Sequence, residues 1–198
     1  EIDLKESVKW YTKAAEQGYA VAQNNLGNCY YNGTGVEIDH KKAAYWYTQA
    51  AEQGLAEAQN MLGYCYRNGL GVEADLEKAI YWYTKAAEQG YAVAQNNLAI
   101  CYEEGLGVDI DHTKAAYWYT QAAEQGHAAA QNNLGNCYYY GTGVEINHTK
   151  AAYWHTQAAE QGYAKAQNSL GYCYENGIGV EIDLKESVKW YTKAAEQG

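Results

Sequence analysis

Trp10, Trp46, Trp82, Trp118, Trp154 and Trp190 stand 36 residues apart without a slip in register. Cys29, Cys65, Cys101, Cys137 and Cys173 keep the same interval, and Ala-Ala-Glu-Gln-Gly closes every unit. A fixed period of this length constrains the fold more than any other feature. Each unit is one supersecondary element that buries its apolar face only against its neighbours, so the units must stack. The chain divides into a half unit, 1–18, and five full units, 19–54, 55–90, 91–126, 127–162 and 163–198, read as a single solenoid domain.

The unit 19–54 reads as two helices. The first spans Ala20–Asn32, with Ala22, Leu26, Cys29 and Tyr30 on one face. Gly33-Thr34-Gly35 ends it, since glycine adopts the left-handed backbone that closes helices. Asp39 caps the second helix, as Asp3, Asp75, Asp111, Asn147 and Asp183 do elsewhere. Glu6 and Glu186, three residues after their caps, predict reciprocal capping boxes. The second helix spans His40–Gln53, with Ala43, Trp46, Tyr47, Ala50 and Ala51 as its apolar stripe, and Gly54 stops it. The short turn that follows makes successive helices antiparallel neighbours. The expected fold class is therefore all-α: an α-solenoid of eleven helices arranged as antiparallel hairpins. A Glu in the last turn of each second helix (Glu16, Glu52) opposes the helix dipole and predicts a partner in the next unit. Residues 1–18 and 181–198 are identical, which predicts apolar end faces and end-to-end self-association.

The formal net charge of −10 repels a sugar–phosphate backbone and favours a neutral or basic polypeptide partner over nucleic acid. No apolar run is long enough to span a membrane, and no leader opens the chain. One cysteine per unit leaves equivalent thiols about two helix layers apart, beyond the ~7 Å reach of a disulfide. Five small buried thiols suit a reducing, cytoplasmic setting.

Catalysis needs residues that break the repeat. Ser7, Ser169 and Ser187 lie in no nucleophile motif, and the Gly-x-Gly of each hairpin lacks the lysine of a phosphate-binding loop. His40, His112 and His148 fall one or more units apart, too far to share a metal, and His127 brings no second ligand. His155 takes a position held by tyrosine in other units and reads as a half-buried polar ring. No enzyme, metal or cofactor is expected.

Leu26-Gly27-x-x-Tyr30, Gly33-x-Gly35-Val36, Asp39, Ala43, Trp46-Tyr47, Ala50-Ala51 and Gly54 resemble the Sel-one-like repeat, a tetratricopeptide-like helical hairpin, and the match runs through the whole chain. Ala99 departs from it, standing where glycine is expected. A cysteine-rich branch of the family carries two bridged cysteines per unit, whereas this chain has one. The resemblance implies a right-handed superhelix and a scaffold or adaptor role, bringing partners together in quality control, cell-wall regulation, signalling or host contact. It also implies that the first helices line a concave, peptide-binding face.

Carried onto this chain, that face starts with Val21, Asn24, Asn28, Tyr31 and Asn32. Down the stack it adds Asn60, Tyr64, Arg67, Asn96, Ile100, Glu103, Glu104, Asn132, Asn136, Tyr139, Tyr140, Asn168 and Tyr172. Residues vary there while the core positions barely change. The constant Asn24, Asn60, Asn96, Asn132 and Asn168 form a ladder that either hydrogen-bonds an extended peptide or ties each unit to the next. The tyrosines offer rigid anchors, and Glu103 with Glu104 offers an acidic pair for a Lys or Arg. A structural array without a ligand of its own is the alternative to a scaffold.

Overall fold

The computed structural model describes residues 4–197. Eleven helices lie among them: α1 (Leu4–Glu16), α2 (Ala20–Asn32), α3 (His40–Glu52), α4 (Ala56–Asn68), α5 (Leu76–Glu88), α6 (Ala92–Glu104), α7 (His112–Glu124), α8 (Ala128–Tyr140), α9 (His148–Glu160), α10 (Ala164–Asn176) and α11 (Leu184–Ala195). No strand occurs among the described residues, and no helix is long and apolar enough to cross a membrane. The helices alternate between the two types read from the sequence, and the second type ends one residue earlier than expected.

The chain forms two compact bodies. The first runs to Ala94 and includes Leu106–Val108; the second holds Gln95–Gly105 and Asp109 onward. Within the first, α1 packs on α2, α2 on α3, α3 on α4 and α4 on α5. Within the second, α7 to α11 follow the same nearest-neighbour order. This is the contact pattern of stacked hairpins.

Local chemistry sets each hairpin. Gly33 adopts φ 73° and its N–H donates to the Cys29 carbonyl, closing α2. Asp39 N–H donates to Tyr30 O at 2.9 Å across the loop, and its carboxylate accepts from Lys42 N–H at 3.0 Å to start α3. Gly71, also left-handed, meets the first turn of α3: a Cβ there would overlap the His40 carbonyl. Its counterparts approach the preceding second-type helix in the same way, so the second glycine of each loop sets the layer spacing.

Several expectations change. The buried stripe of α3 is Ala43, Ala44, Tyr47, Ala50 and Ala51, while Trp46 is half-buried over the cluster of Val8, Ala22, Leu26 and Cys29. Ala44 is the smaller residue and admits the closer helix contact. The reciprocal box at α11 does not form. Asp183 N–H is taken by Tyr174 O at 3.0 Å, and the Glu186 carboxylate turns instead to Lys189 Nζ at 2.9 Å. The cap at Asp3 lies outside the described residues. Glu16, Glu52 and their counterparts are exposed, with no partner in the next unit among the described residues. The last-turn carboxylates are simply solvated.

What ties the units is a glutamine relay. Gln59, 4% exposed, donates through Nε2 to Ala51 O at 3.1 Å, a carbonyl at the end of the preceding α3. Its Oε1 accepts from Gln89 Nε2 at 2.7 Å, at the end of the following α5. Gln23, Gln131 and Gln167 repeat both bonds. One buried amide thus joins three helices and adds a second hydrogen bond to a helix-end carbonyl that already accepts a backbone N–H.

The identical segments at the two ends bury opposite faces. Val8 is 7% exposed and Trp10 57%, whereas Val188 is 63% exposed and Trp190 7%. The helix after α1 covers the valine side, and the helices before α11 cover the tryptophan side.

Candidate functional site: the face of the first-type helices

The asparagine ladder is not an open ladder. Asn24, Asn60, Asn96 and Asn132 are 8%, 5%, 7% and 4% exposed. In the second body Asn133 Nδ2 reaches Asn96 Oδ1 at 3.5 Å, so the next first-type helix lies over that position. Asn168, on the last such helix, is exposed. These four side chains therefore lie between layers rather than along a free groove.

The acidic pair divides as well. Glu103 is half-buried and accepts a hydrogen bond from the Tyr119 hydroxyl at 2.6 Å, while Glu104 is exposed. Adjacent helical residues point in different directions, so neighbours in sequence make no common docking site. Ile100 occupies the position at which Asn28 accepts the Tyr47 hydroxyl at 2.7 Å, and an isoleucine accepts nothing. Tyr119 turns to Glu103 instead. Burial first, then that carboxylate, raises the Tyr119 hydroxyl well above the ordinary range. Burial and Glu103 likewise push the Cys137 thiol up to about 12. All five cysteines are buried and outside any disulfide, and burial raises Cys29, Cys65 and Cys173 too, so these three and Cys137 are poor nucleophiles.

Beside Asn168 and Glu104, aromatic rings stay accessible on this face. In the first body Tyr31 meets Tyr64 edge to face at 6.3 Å and His40 at 5.3 Å, and Arg67 lies half-buried one turn beyond. In the second body Tyr139 meets Tyr172 at 6.4 Å, His148 at 5.5 Å and Tyr140 at 4.6 Å. Burial and the hydrogen bond to Tyr64 raise the Tyr31 hydroxyl pKa; the bond to Tyr172 raises that of Tyr139. Tyr140 and Tyr172 are 69% and 45% exposed.

The second cluster borders a cavity of about 280 Å³ between α8, α9, α10 and α11. Asn136, Asn168, Ser169 and Cys173 line it beside Tyr139, Tyr140, Tyr172, Tyr191 and His155. His155 is 2% exposed, not half-buried as its sequence position suggested. Its ring lies flat on Gly135, where a Cβ would come within 2.7 Å. Its Nδ1 has no hydrogen-bond partner, and burial pushes its pKa down to about 4. The signal for this position in the sequence is the histidine itself, where every other unit has tyrosine.

Among the described residues no cluster of three or more His, Cys, Asp or Glu could hold a metal ion. The other recurrent contact is cationic: Lys42 sits over Tyr30 at 5.0 Å, Lys78 over Tyr66 at 5.3 Å, Lys114 over Tyr102 at 5.1 Å and Lys150 over Tyr138 at 5.0 Å.

The Sel1 repeat profile matches residues 1–19, 20–55, 56–91, 92–127, 128–163 and 164–198. A protective antigen of uropathogenic Escherichia coli with an SLR fold is 40% identical, with a TM-score of 0.89 over 98% of this chain. The chain spans only 42% of that antigen's length. A Sel1 repeat protein from Oxalobacter formigenes is 33% identical, with a TM-score of 0.87 over 100% of this chain and 84% of its own. Cysteine-rich protein B of Helicobacter pylori is 26% identical, with a TM-score of 0.51 over 63% of this chain and 90% of its own. No curated protein matches the chain.

Proposed function

The chain belongs to the Sel1 repeat family, whose members are in general non-catalytic protein–protein interaction scaffolds, and from that premise we propose that it holds a polypeptide against the face of its first-type helices. In the tetratricopeptide-like arrangement this is the concave face. We take the half unit 1–18 and the five 36-residue units as one working solenoid domain without catalysis. The observation that carries the reading is the pair of tyrosine clusters, Tyr31–Tyr64 and Tyr139–Tyr140–Tyr172, standing outside the core. Rigid aromatic rings supply contact area at low entropic cost, and they dominate interface energetics elsewhere. The net charge of −10 favours a partner with basic residues, and the five free thiols suit the cytoplasm.

A photoreactive residue placed at 64, 140 or 172 is expected to cross-link the partner in cells. The same residue at 45 or 153, exposed positions on second-type helices, is expected to give none. Cross-links from 45 and 153 alone would overturn the reading.

A second reading is end-to-end self-association of this chain through the exposed side chains Trp10 of α1 and Val188 of α11. It predicts a mass in light scattering that rises with concentration and returns to the monomer in Val188→Asp. A constant monomer mass would remove it.

A further inference from the structure

We propose that the cavity beside His155 is an anchor site for one basic side chain, lysine or arginine, of the bound polypeptide. The proposal rests on the scaffold reading and adds to it the chemistry of the residue recognised.

The site arises from a single departure in the repeat. Tyr47, Tyr83, Tyr119 and Tyr191 hold the position of His155 in the other full units. Three of these have a defined hydroxyl acceptor on the first-type helix: Asn28 for Tyr47, Glu103 for Tyr119 and Glu175 for Tyr191. An imidazole is shorter than a phenol. At 155 the end of the ring is missing, and Asn136, the counterpart of Asn28, lines a cavity instead of accepting a hydroxyl. The first body provides an internal comparison. There the Tyr31–Tyr64 pair and His40 match Tyr139–Tyr172 and His148, but the Tyr47 ring fills the space.

The lining selects the occupant. At about 280 Å³ the cavity has room for one long side chain. No lysine or arginine lines it. His155 stays neutral near pH 7 and offers no repulsion. The lining rings of Tyr139, Tyr172 and Tyr191 can attract a cation through their π-faces, and the Glu175 carboxylate accepts from the hydroxyl of Tyr191 at 2.9 Å. Ser169 donates its own hydroxyl to Lys165 O, which leaves its oxygen free to accept. Lys150 on the Tyr138 ring shows the same cation–tyrosine pairing within this hairpin.

The test is an NMR titration of the full chain, with labelled tyrosine rings, against blocked Gly-Gly-Arg-Gly-Gly. Matched peptides with lysine, norleucine or tyrosine in place of the arginine serve as comparisons. The arginine and lysine peptides are expected to shift the Tyr139, Tyr172 and Tyr191 signals saturably, with the norleucine peptide at least tenfold weaker. His155→Tyr restores the residue found in the sister units and should abolish the shifts while helix content stays unchanged. Should that variant misfold, Tyr172→Ala, on an exposed ring, is expected to weaken the arginine peptide at least tenfold. Tyr47→His should open a second site at Tyr31 and Tyr64. Equal binding of norleucine or tyrosine peptides would make the cavity an apolar anchor and overturn the proposal. Absence of saturation, as in a cavity filled by water only, or undiminished binding in the variants, would do the same. Partner cross-links at 64 that persist through such a failure would leave the scaffold reading standing; their absence would remove that reading instead.

Discussion

At residue 47 and its counterparts one ring decides how a hairpin closes. Gly27 and Gly63 lie under Tyr47 and Tyr83, where a Cβ would come within 2.8 Å of the ring. Gly63→Ala therefore forces the Tyr83 ring to shift, and chemical denaturation should register a loss of about 1–3 kcal/mol. His155 adds a pH dependence. Its folded pKa of about 4 lies below the ordinary 6.5, so on acidification the unfolded chain takes up this proton first. The contribution is complete above pH 6.5 and declines as pH falls toward 4, by about 2–3 kcal/mol in all. Denaturant melts at pH 7 and pH 4.5 should show that extra decline in the native chain and not in His155→Tyr; equal declines would exclude the buried imidazole as its source. The sequence marked residue 155 as different but pointed to a half-buried ring, whereas the stack buries it, because a shorter polar ring in a repeat is read one unit at a time.

Within each helical element the sequence was most legible where chemistry is local. Glycine loops and Asp39-type caps placed helix ends within a residue, since left-handed backbone and an N-cap acceptor are properties of single positions. Faces were harder. The Asn24 series lies opposite Leu26 and Cys29 on its own helix and reads as solvent-facing, yet Asn24, Asn60, Asn96 and Asn132 are buried, and Asn133 of the next first-type helix reaches Asn96. A periodic pattern describes one helix, whereas burial in a stack is decided by the neighbour. The same limit hid Gln23 and Gln59: each is constant through the units, but its two partners lie eight residues before it and 30 after. Gln59→Ala removes both bonds, while the Ala51 carbonyl keeps the Gly54 N–H at 2.9 Å. A loss of about 2 kcal/mol is expected in denaturant melts, against about 1 kcal/mol for Gln89→Ala, which removes the more exposed partner. Equal losses would mean that the relay contributes nothing beyond a surface amide.

For the molecule as a whole, the 36-residue period was enough to give the fold class, because only stacking buries a face repeated at that spacing. The proposed recognition face was legible only in part. Tyr64, Tyr139, Tyr140 and Tyr172 stay available at the surface or around the cavity, while Asn24, Asn60, Asn96 and Asn132 are buried and Glu103 accepts from the Tyr119 hydroxyl. The glutamine relay also sets how the chain should respond to load. Each relay spans only adjacent helices, so no bond among them resists extension of the array at large. Held by its ends and stretched, the protein should give way hairpin by hairpin, with a sawtooth of similar forces. Each rupture of a 36-residue unit would release roughly 12 nm of slack.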